Sequence, residues 1–113
     1  MQLVYIAGRY RDESPYKIYQ NIERAWELGL QVNLLGAYAV IPHKNSEHME
    51  GAQGPQFWID GTLELCSRCD ALIVVPQGYE TSQGTLGEIA RMKELGKPVF
   101  YSLEDLEDYL SNV

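Results

Sequence analysis

Short apolar runs alternate along the chain with longer stretches in which apolar residues recur at helical spacing. Leu3–Ala7, Tyr38–Ile41 and Ala71–Val75 are continuous apolar runs, too short for helices. Buried strands of a parallel sheet have this appearance, because both of their faces are covered. Pro98–Tyr101 is predicted to be a fourth strand. The pattern therefore predicts four strands connected by helices.

Four helices are predicted between and after these strands. The first spans about Pro15 to Leu35, with Ser14-Pro15 as a typical helix start and Gly36 as a typical stop. Gly29 lies on its apolar stripe, where a glycine usually allows close packing, so the helix is expected to continue through it. The other helices are predicted at Phe57–Arg68, from Gly84-Thr85 until Gly96, and at Leu103–Leu110.

The order β-α-β-α-β-α-β-α predicts one α/β domain over residues 1–113, with a parallel sheet of strand order 2-1-3-4 between helical layers. Ligands of such sheets bind outside the carboxyl ends of the strands, where the strand order reverses. The GRYR loop at Gly8–Arg11 and the Gln77–Gln83 loop would face one another there. Lys44–Gln56 is predicted to be a long loop that also follows a strand.

The composition limits the partners. The net charge of -7 argues against binding to a nucleic acid polymer, although a few arginines could still bind a small phosphorylated ligand. The chain opens on a strand-like run, so neither a signal peptide nor a membrane segment is predicted, and the cytoplasm is the expected location. Cys66 and Cys69 form a C-x-x-C without a second pair or suitable histidines, which favours two reduced thiols. No metal and no cofactor is expected.

Glu88 is the main candidate for chemistry. It follows the third strand and a glycine-containing loop, in the first turn of the next helix. Acidic residues are favoured there for electrostatic reasons alone. Its expected position opposite Arg9 and Arg11 also makes it a candidate nucleophile or base, because a carboxylate can attack an electron-poor sugar carbon. The two arginines are either solvated loop residues or contacts for phosphate or carboxylate, and Arg11 is the favoured contact.

Five further residues have both a structural and a functional explanation. His43 ends the second strand and either contacts ligand or hydrogen-bonds the backbone. For Ser82 and Thr85, a structural role in the loop and the helix cap is favoured over contact with a ligand. Tyr5 is either a core tyrosine or part of the site, and Asp60 lies on the polar side of its predicted helix.

The order of several short motifs resembles that of nucleoside 2-deoxyribosyltransferase-like proteins, especially the short bacterial and phage proteins of the DUF4406 type. The likeness covers nearly the whole chain, and its G-T-x-x-E element is the most specific part. It implies a flavodoxin-like (Rossmann-like) three-layer sandwich. The motifs are Tyr5-Ile6-Ala7-Gly8, Pro42-His43, Cys69-Asp70-Ala71 and Ser82-x-Gly84-Thr85-x-x-Glu88-Ile89-x-x-x-Lys93.

The resemblance also implies roles. Glu88 would attack the anomeric carbon of the sugar and displace a nucleobase, after which the sugar passes to another base or to water. Asp60 is the nearest counterpart of an aspartate that assists base protonation, and Tyr5 of a tyrosine that orients the nucleophile. The loop after the first glycine binds a phosphate in related deoxynucleotide hydrolases. The implied ligand-binding residues are Gly8, Arg9, Arg11, His43, Ser82, Gly84 and Thr85.

The expected function is cleavage or exchange of the N-glycosidic bond of a nucleoside or nucleoside monophosphate. A non-catalytic nucleotide sensor or decoy on the same fold is one alternative, and an assembly module with an acidic last helix is another. A third is a phosphoribohydrolase of the cytokinin-releasing LOG type, whose P-G-G-x-G-T element is imperfect here because Pro76-Gln77-Gly78 is separated from Gly84. A homodimer is also predicted, because Tyr19, Trp26 and Trp58 lack obvious places in a small core.

Overall fold

The computed structural model describes residues 1–113, and in it four parallel strands and five helices alternate along most of the chain. A 3-10 turn at Tyr79–Thr81 precedes the fourth helix. The elements are β1 (Leu3–Ala7), α1 (Pro15–Leu34), β2 (Tyr38–Val40), α2 (Pro42–Asn45), α3 (Pro55–Ser67), β3 (Ala71–Val74), α4 (Gln83–Glu94), β4 (Val99–Phe100) and α5 (Leu103–Leu110).

The strands form one sheet in the order β2-β1-β3-β4. Every neighbouring pair is parallel, and Tyr5 of β1 lies between Val40 of β2 and Leu72 of β3. The predicted α/β class, the all-parallel sheet and the strand order are therefore confirmed. The architecture is consistent with a flavodoxin-like sandwich, in which the strand order reverses beside β1.

Alternate residues of β1 point to opposite faces of the sheet, and each face has its own core. Val4 and Ile6 pack in the core that α1 and α5 cover, whereas Tyr5 and Ala7 pack in the core that α3 and α4 cover. The first core consists of Val4, Ile6, Ala25, Val32, Ala37, Ala39, Ala71, Ile73, Val75 and Leu106. The second consists of Tyr5, Ala7, Cys66, Cys69, Leu72, Val74, Ile89 and Met92.

The signals that predicted α1 have the expected structural roles. The Ser14 hydroxyl accepts a hydrogen bond from the Lys17 backbone N–H at 3.2 Å, so it caps the helix. Gly36, with a φ of 96°, follows the last turn in the left-handed region. The helix is unbroken at Gly29, where a Cβ atom would collide with the side chain of Ile41. This close approach to the segment after β2 explains the glycine.

The structure corrects the predicted Lys44–Gln56 loop at both ends. Pro42 begins the one-turn helix α2, which continues to Asn45, and Pro55 begins α3 two residues before the predicted start at Phe57. Both prolines occupy the first helical position, where the fixed φ of proline is favourable and its missing N–H has no cost. The segment from Ser46 to Gly54 is irregular, as predicted.

Several smaller predictions meet different outcomes. Tyr19 and Trp26 are exposed on α1, and Trp58 is half-buried against a cavity described below. The homodimer to which these aromatics pointed stays a prediction. Cys66 and Cys69 are free and buried. No helix combines the length and the apolar composition that crossing a bilayer requires.

Candidate functional site

A cavity of about 510 Å³ opens at the carboxyl ends of the parallel strands. Its walls come from segments that follow β1, β2 and β3, together with one side of α3 and the first turns of α4. These are the segments that the predicted strand order brings together. The lining residues are Tyr5, Gly8–Arg11, Pro42, His43, Ser46, Glu50, Gly51, Gln53, Pro55, Trp58, Ile59, Thr62, Thr81–Thr85 and Glu88.

Nine of the ten predicted site residues line this cavity. They are Tyr5, Gly8, Arg9, Arg11, His43, Ser82, Gly84, Thr85 and Glu88. Asp60 is the exception: its side chain is exposed on α3, where its carboxylate accepts a hydrogen bond from the Gln56 amide at 2.7 Å. The geometry therefore gives no support to a role for Asp60 in base protonation.

Glu88 and Tyr5 form the buried centre of the site. Glu88 is only 7% exposed, and Tyr5 is fully buried in β1. The Tyr5 hydroxyl donates a hydrogen bond of 2.6 Å to Oε2 of Glu88. The bond joins a strand to a helix 83 positions further along the chain, so only the tertiary fold can form it. It holds one carboxylate oxygen in place beside the cavity.

Burial changes the acidity of both groups. Desolvation raises the pKa of Glu88 from 4.5 to about 7, although the hydrogen bond from Tyr5 and the nearby Thr62 hydroxyl act in the opposite direction. Desolvation and the Glu88 charge raise the pKa of Tyr5 well above its ordinary value, so its hydroxyl remains a donor. Glu88 consequently titrates near neutral pH, as catalytic carboxyl groups often do.

The start of α4 is fixed by two of the predicted residues. The Ser82 hydroxyl accepts a hydrogen bond from the Thr85 backbone N–H at 3.3 Å and lies 2.9 Å from the Thr85 hydroxyl. This cap confirms the structural explanation for both side chains. Because α4 begins at Gln83, Glu88 lies in its second turn and not in the first turn as predicted.

Arg9 and Arg11 line the same cavity but differ in their partners. The Arg9 guanidinium donates to the Thr81 hydroxyl at 2.7 Å and lies 3.5 Å from the Asp12 carboxylate. It therefore ties the loop after β1 to the turn before α4. Arg11 is exposed and makes no hydrogen bond or ion pair with another side chain. Arg11 is thus the arginine that remains free to contact a ligand.

His43 has a structural role. Its Nε2 atom lies 3.1 Å from the Gly8 carbonyl and 3.2 Å from the Arg9 carbonyl, so Nε2 carries the proton and donates. Burial lowers the pKa of His43, which is only 4% exposed and therefore neutral at physiological pH. Its Nδ1 atom is buried without a hydrogen-bond partner. His43 shapes the loop after β1, which confirms the structural explanation given for it.

Twelve of the 21 lining residues were not predicted as site residues, and four of them are informative. Trp58 and Thr62 lie four positions apart on α3 and so occupy one face of the helix, a spacing that is visible in the sequence. Tyr10 lies between the two predicted arginines, and its hydroxyl donates a hydrogen bond to Glu50. Glu50 belongs to an irregular segment whose sequence carries no signal for such a contact.

The chain was also compared with known proteins. No protein-family model matches it. No curated protein matches it either. No group of three or more histidine, cysteine, aspartate or glutamate side chains is arranged to hold a metal ion. The chemistry of the cavity therefore has to be inferred from its own residues.

Proposed function

We propose that the protein cleaves or exchanges the N-glycosidic bond of a nucleoside or nucleoside monophosphate, with Glu88 as the nucleophile. The observation that carries this proposal is the buried Glu88–Tyr5 pair at the cavity, with a hydrogen bond of 2.6 Å. A carboxylate in this setting is oriented, and it is a stronger nucleophile than one surrounded by water. The resemblance to nucleoside 2-deoxyribosyltransferase-like proteins, whose motifs include both residues, supports the same proposal.

The chemistry follows from the two oxygens of the Glu88 carboxylate. Tyr5 holds Oε2, which leaves Oε1 to attack the anomeric carbon of the sugar. The bond from that carbon to the base nitrogen breaks, the electron pair passes to the base, and the base takes up a proton. Water or a second base then attacks the same carbon and releases Glu88. The attack needs ionised Glu88, so the rate should rise as the pH increases through about 7.

The remaining walls suit a nucleoside. A volume of about 510 Å³ lies within the range of small-molecule pockets. Trp58 offers a flat aromatic surface on which a base can stack, and Ile59 adds an apolar contact. A nucleic acid polymer is a poor candidate, since the net charge is -7. The cytoplasm is the proposed location, because free cysteines stay reduced there.

A non-catalytic nucleotide-binding protein is the second candidate. The observation that favours it is the exposed position of Asp60, because the aspartate to which the resemblance assigns base protonation then lies outside the cavity. Such a protein would keep Glu88 as a buried ligand contact. Binding without turnover is the property that separates the two candidates.

The test is to incubate the protein with a panel of deoxynucleosides and their monophosphates and to measure the release of free base by chromatography. Glu88→Gln keeps the shape of the side chain but removes the nucleophile, so release should fall by about 10³-fold or more. Glu94→Gln removes a carboxylate from an exposed position of α4 and should leave the rate unchanged. Asp60→Asn should also retain activity, because Asp60 does not line the cavity.

Two results would contradict the proposal. One is folded wild-type protein that releases no base from any substrate, and the other is Glu88→Gln protein with an undiminished rate. Tight nucleotide binding by a wild-type protein without turnover would support the sensor instead.

A further inference from the structure

Glu50 is the second carboxylate of the cavity. Among the lining residues, only Glu50 and Glu88 are acidic and only Arg9 and Arg11 are strongly basic. Glu50 lies in the irregular segment after α2, and its carboxylate accepts a hydrogen bond from the Tyr10 hydroxyl. Tyr10 immediately precedes Arg11, so this bond holds a negative charge at the basic end of the cavity.

The charge on Glu50 is permanent near neutral pH. The hydrogen bond from Tyr10 is the main cause that lowers the pKa of Glu50, and the positive charge of Arg11 contributes in the same direction. Arg11 directly follows Tyr10 and lines the same cavity as Glu50, although the two charged side chains form no ion pair. Arg9 is already occupied by Thr81 and Asp12. Glu50 thus lines the same cavity as Arg11, the one arginine that is free to receive an anionic ligand group.

We propose that Glu50 determines ligand selection: its carboxylate opposes a phosphate at Arg11, so the cavity prefers nucleosides to their monophosphates. The inference rests on the proposed function, because it names the ligand class of the same site. A phosphate placed at Arg11 would meet a fixed negative charge, and such repulsion is a common source of selectivity. A carboxylate only accepts hydrogen bonds, so it favours groups that donate them, such as a sugar hydroxyl or an exocyclic amine.

Calorimetric titration tests this selection directly. Each deoxynucleoside and its monophosphate is titrated into Glu88→Gln protein, which consumes no ligand, with and without Glu50→Gln. In the protein that retains Glu50, the nucleoside should bind more tightly than its monophosphate. Glu50→Gln should raise monophosphate affinity relative to nucleoside affinity by about two- to fivefold, the size of one exposed charge interaction. Adding Arg11→Ala to Glu50→Gln should abolish this gain.

Two further variants act as a control and as a second test. Glu47→Gln removes the same charge from the same segment, but Glu47 pairs with Lys44 and does not line the cavity, so the affinity ratio should stay unchanged. Tyr10→Phe releases Glu50 without removing its charge and should shift the ratio in the same direction as Glu50→Gln, but by less.

The outcomes separate this inference from the proposed function. An affinity ratio that Glu50→Gln changes by less than about twofold would overturn the role of Glu50, even if the wild-type protein releases base. Tighter monophosphate binding by protein that retains Glu50 would overturn it as well. A gain in affinity for inorganic phosphate in Glu50→Gln would support it, even if no variant releases base. Failure of every ligand to bind either protein would overturn both proposals.

Discussion

On one face of the sheet, α1 and α5 cover Val4 and Ile6 with an apolar core, and Asn21, the buried polar residue of α1, is uncharged. On the other face, α3 and α4 cover Tyr5 with a core that also contains two thiols and borders the buried carboxyl of Glu88. Both faces use alternate residues of the same strand. The difference lies in what the covering helices contribute, because α4 begins beside the cavity and brings a charge with it.

The two faces therefore differ in how burial affects the stability of the fold. Apolar burial stabilises the fold on both faces, by roughly 25 cal/mol per Å² of apolar surface. Burial of Glu88 has the opposite effect, since an ionised carboxyl loses its hydration. A costly buried charge that persists beside a cavity is typical of a functional site. The face under α3 and α4 therefore contains both the candidate site and a local loss of stability.

The largest effect is expected on the face without the site. Leu106 of α5 is fully buried in the apolar core, so Leu106→Ala removes several methyl and methylene contacts. The free energy of unfolding, measured by urea denaturation, should fall by about 2–5 kcal/mol. Base release per folded molecule should not change. A lower rate in folded Leu106→Ala protein would show that the two faces are not independent.

The next effect concerns the charge on the other face. Below pH 4.5, Glu88 is protonated in both the folded and the unfolded chain, and the full stability is present. Between 4.5 and about 7 the unfolded chain loses this proton first, so the free energy of unfolding should fall with rising pH. The total loss should be at most about 3 kcal/mol.

Comparison with Glu88→Gln isolates this contribution, because the other titrating groups are present in both proteins. The stability of wild type minus that of the variant should decline over this pH interval and level off above about pH 7. Urea denaturation at several pH values provides the measurement. A difference that is constant with pH would mean that Glu88 is not desolvated as the structure indicates.

The smallest of the three effects compares two tyrosines, one on each face. Tyr5→Phe removes the donor to Glu88, and the rate of base release should fall by about 10- to 100-fold, as expected for a hydrogen bond to a charged group. The same change should shift the lower limb of the pH–rate profile to higher pH. The lost hydrogen bond lowers the pKa of Glu88 in the wild-type protein, so its removal raises that pKa. Tyr109→Phe removes a 2.9 Å bond to Gln2 on the other face and should leave the rate unchanged. Equal losses in both variants would contradict the comparison.

The fold and the position of the site were predictable because both depend on local patterns. The apolar runs predicted all four strands, and the chain order then required the β1 and β3 loops to meet. Glu88 and the Gly8–Arg11 loop were found in this way, without any knowledge of side-chain contacts. The 2.7 Å hydrogen bond from Arg9 to the Thr81 hydroxyl confirms that the two loops meet.

The features that differ from the prediction depend on tertiary contacts or on segments too short to show a periodic pattern. Pro42 and Pro55 each marked a helix start, but α2 has only one turn and no apolar periodicity. Asp60 does not line the cavity, because only one face of α3 borders it and that face carries Trp58 and Thr62. The contact between Glu50 and Tyr10 joins two irregular segments, so no periodic pattern could reveal it.

Cys66 and Cys69 allow the opening of the sheet face under α3 to be measured by thiol labelling. Burial raises the pKa of Cys66 to about 12 and that of Cys69 to about 11, and both thiols are inaccessible. A thiol reagent can therefore react only during the brief intervals in which this face separates from the sheet. The opposite face has no cysteine. The labelling rate of the native chain would thus time the opening of the half of the molecule that contains Glu88.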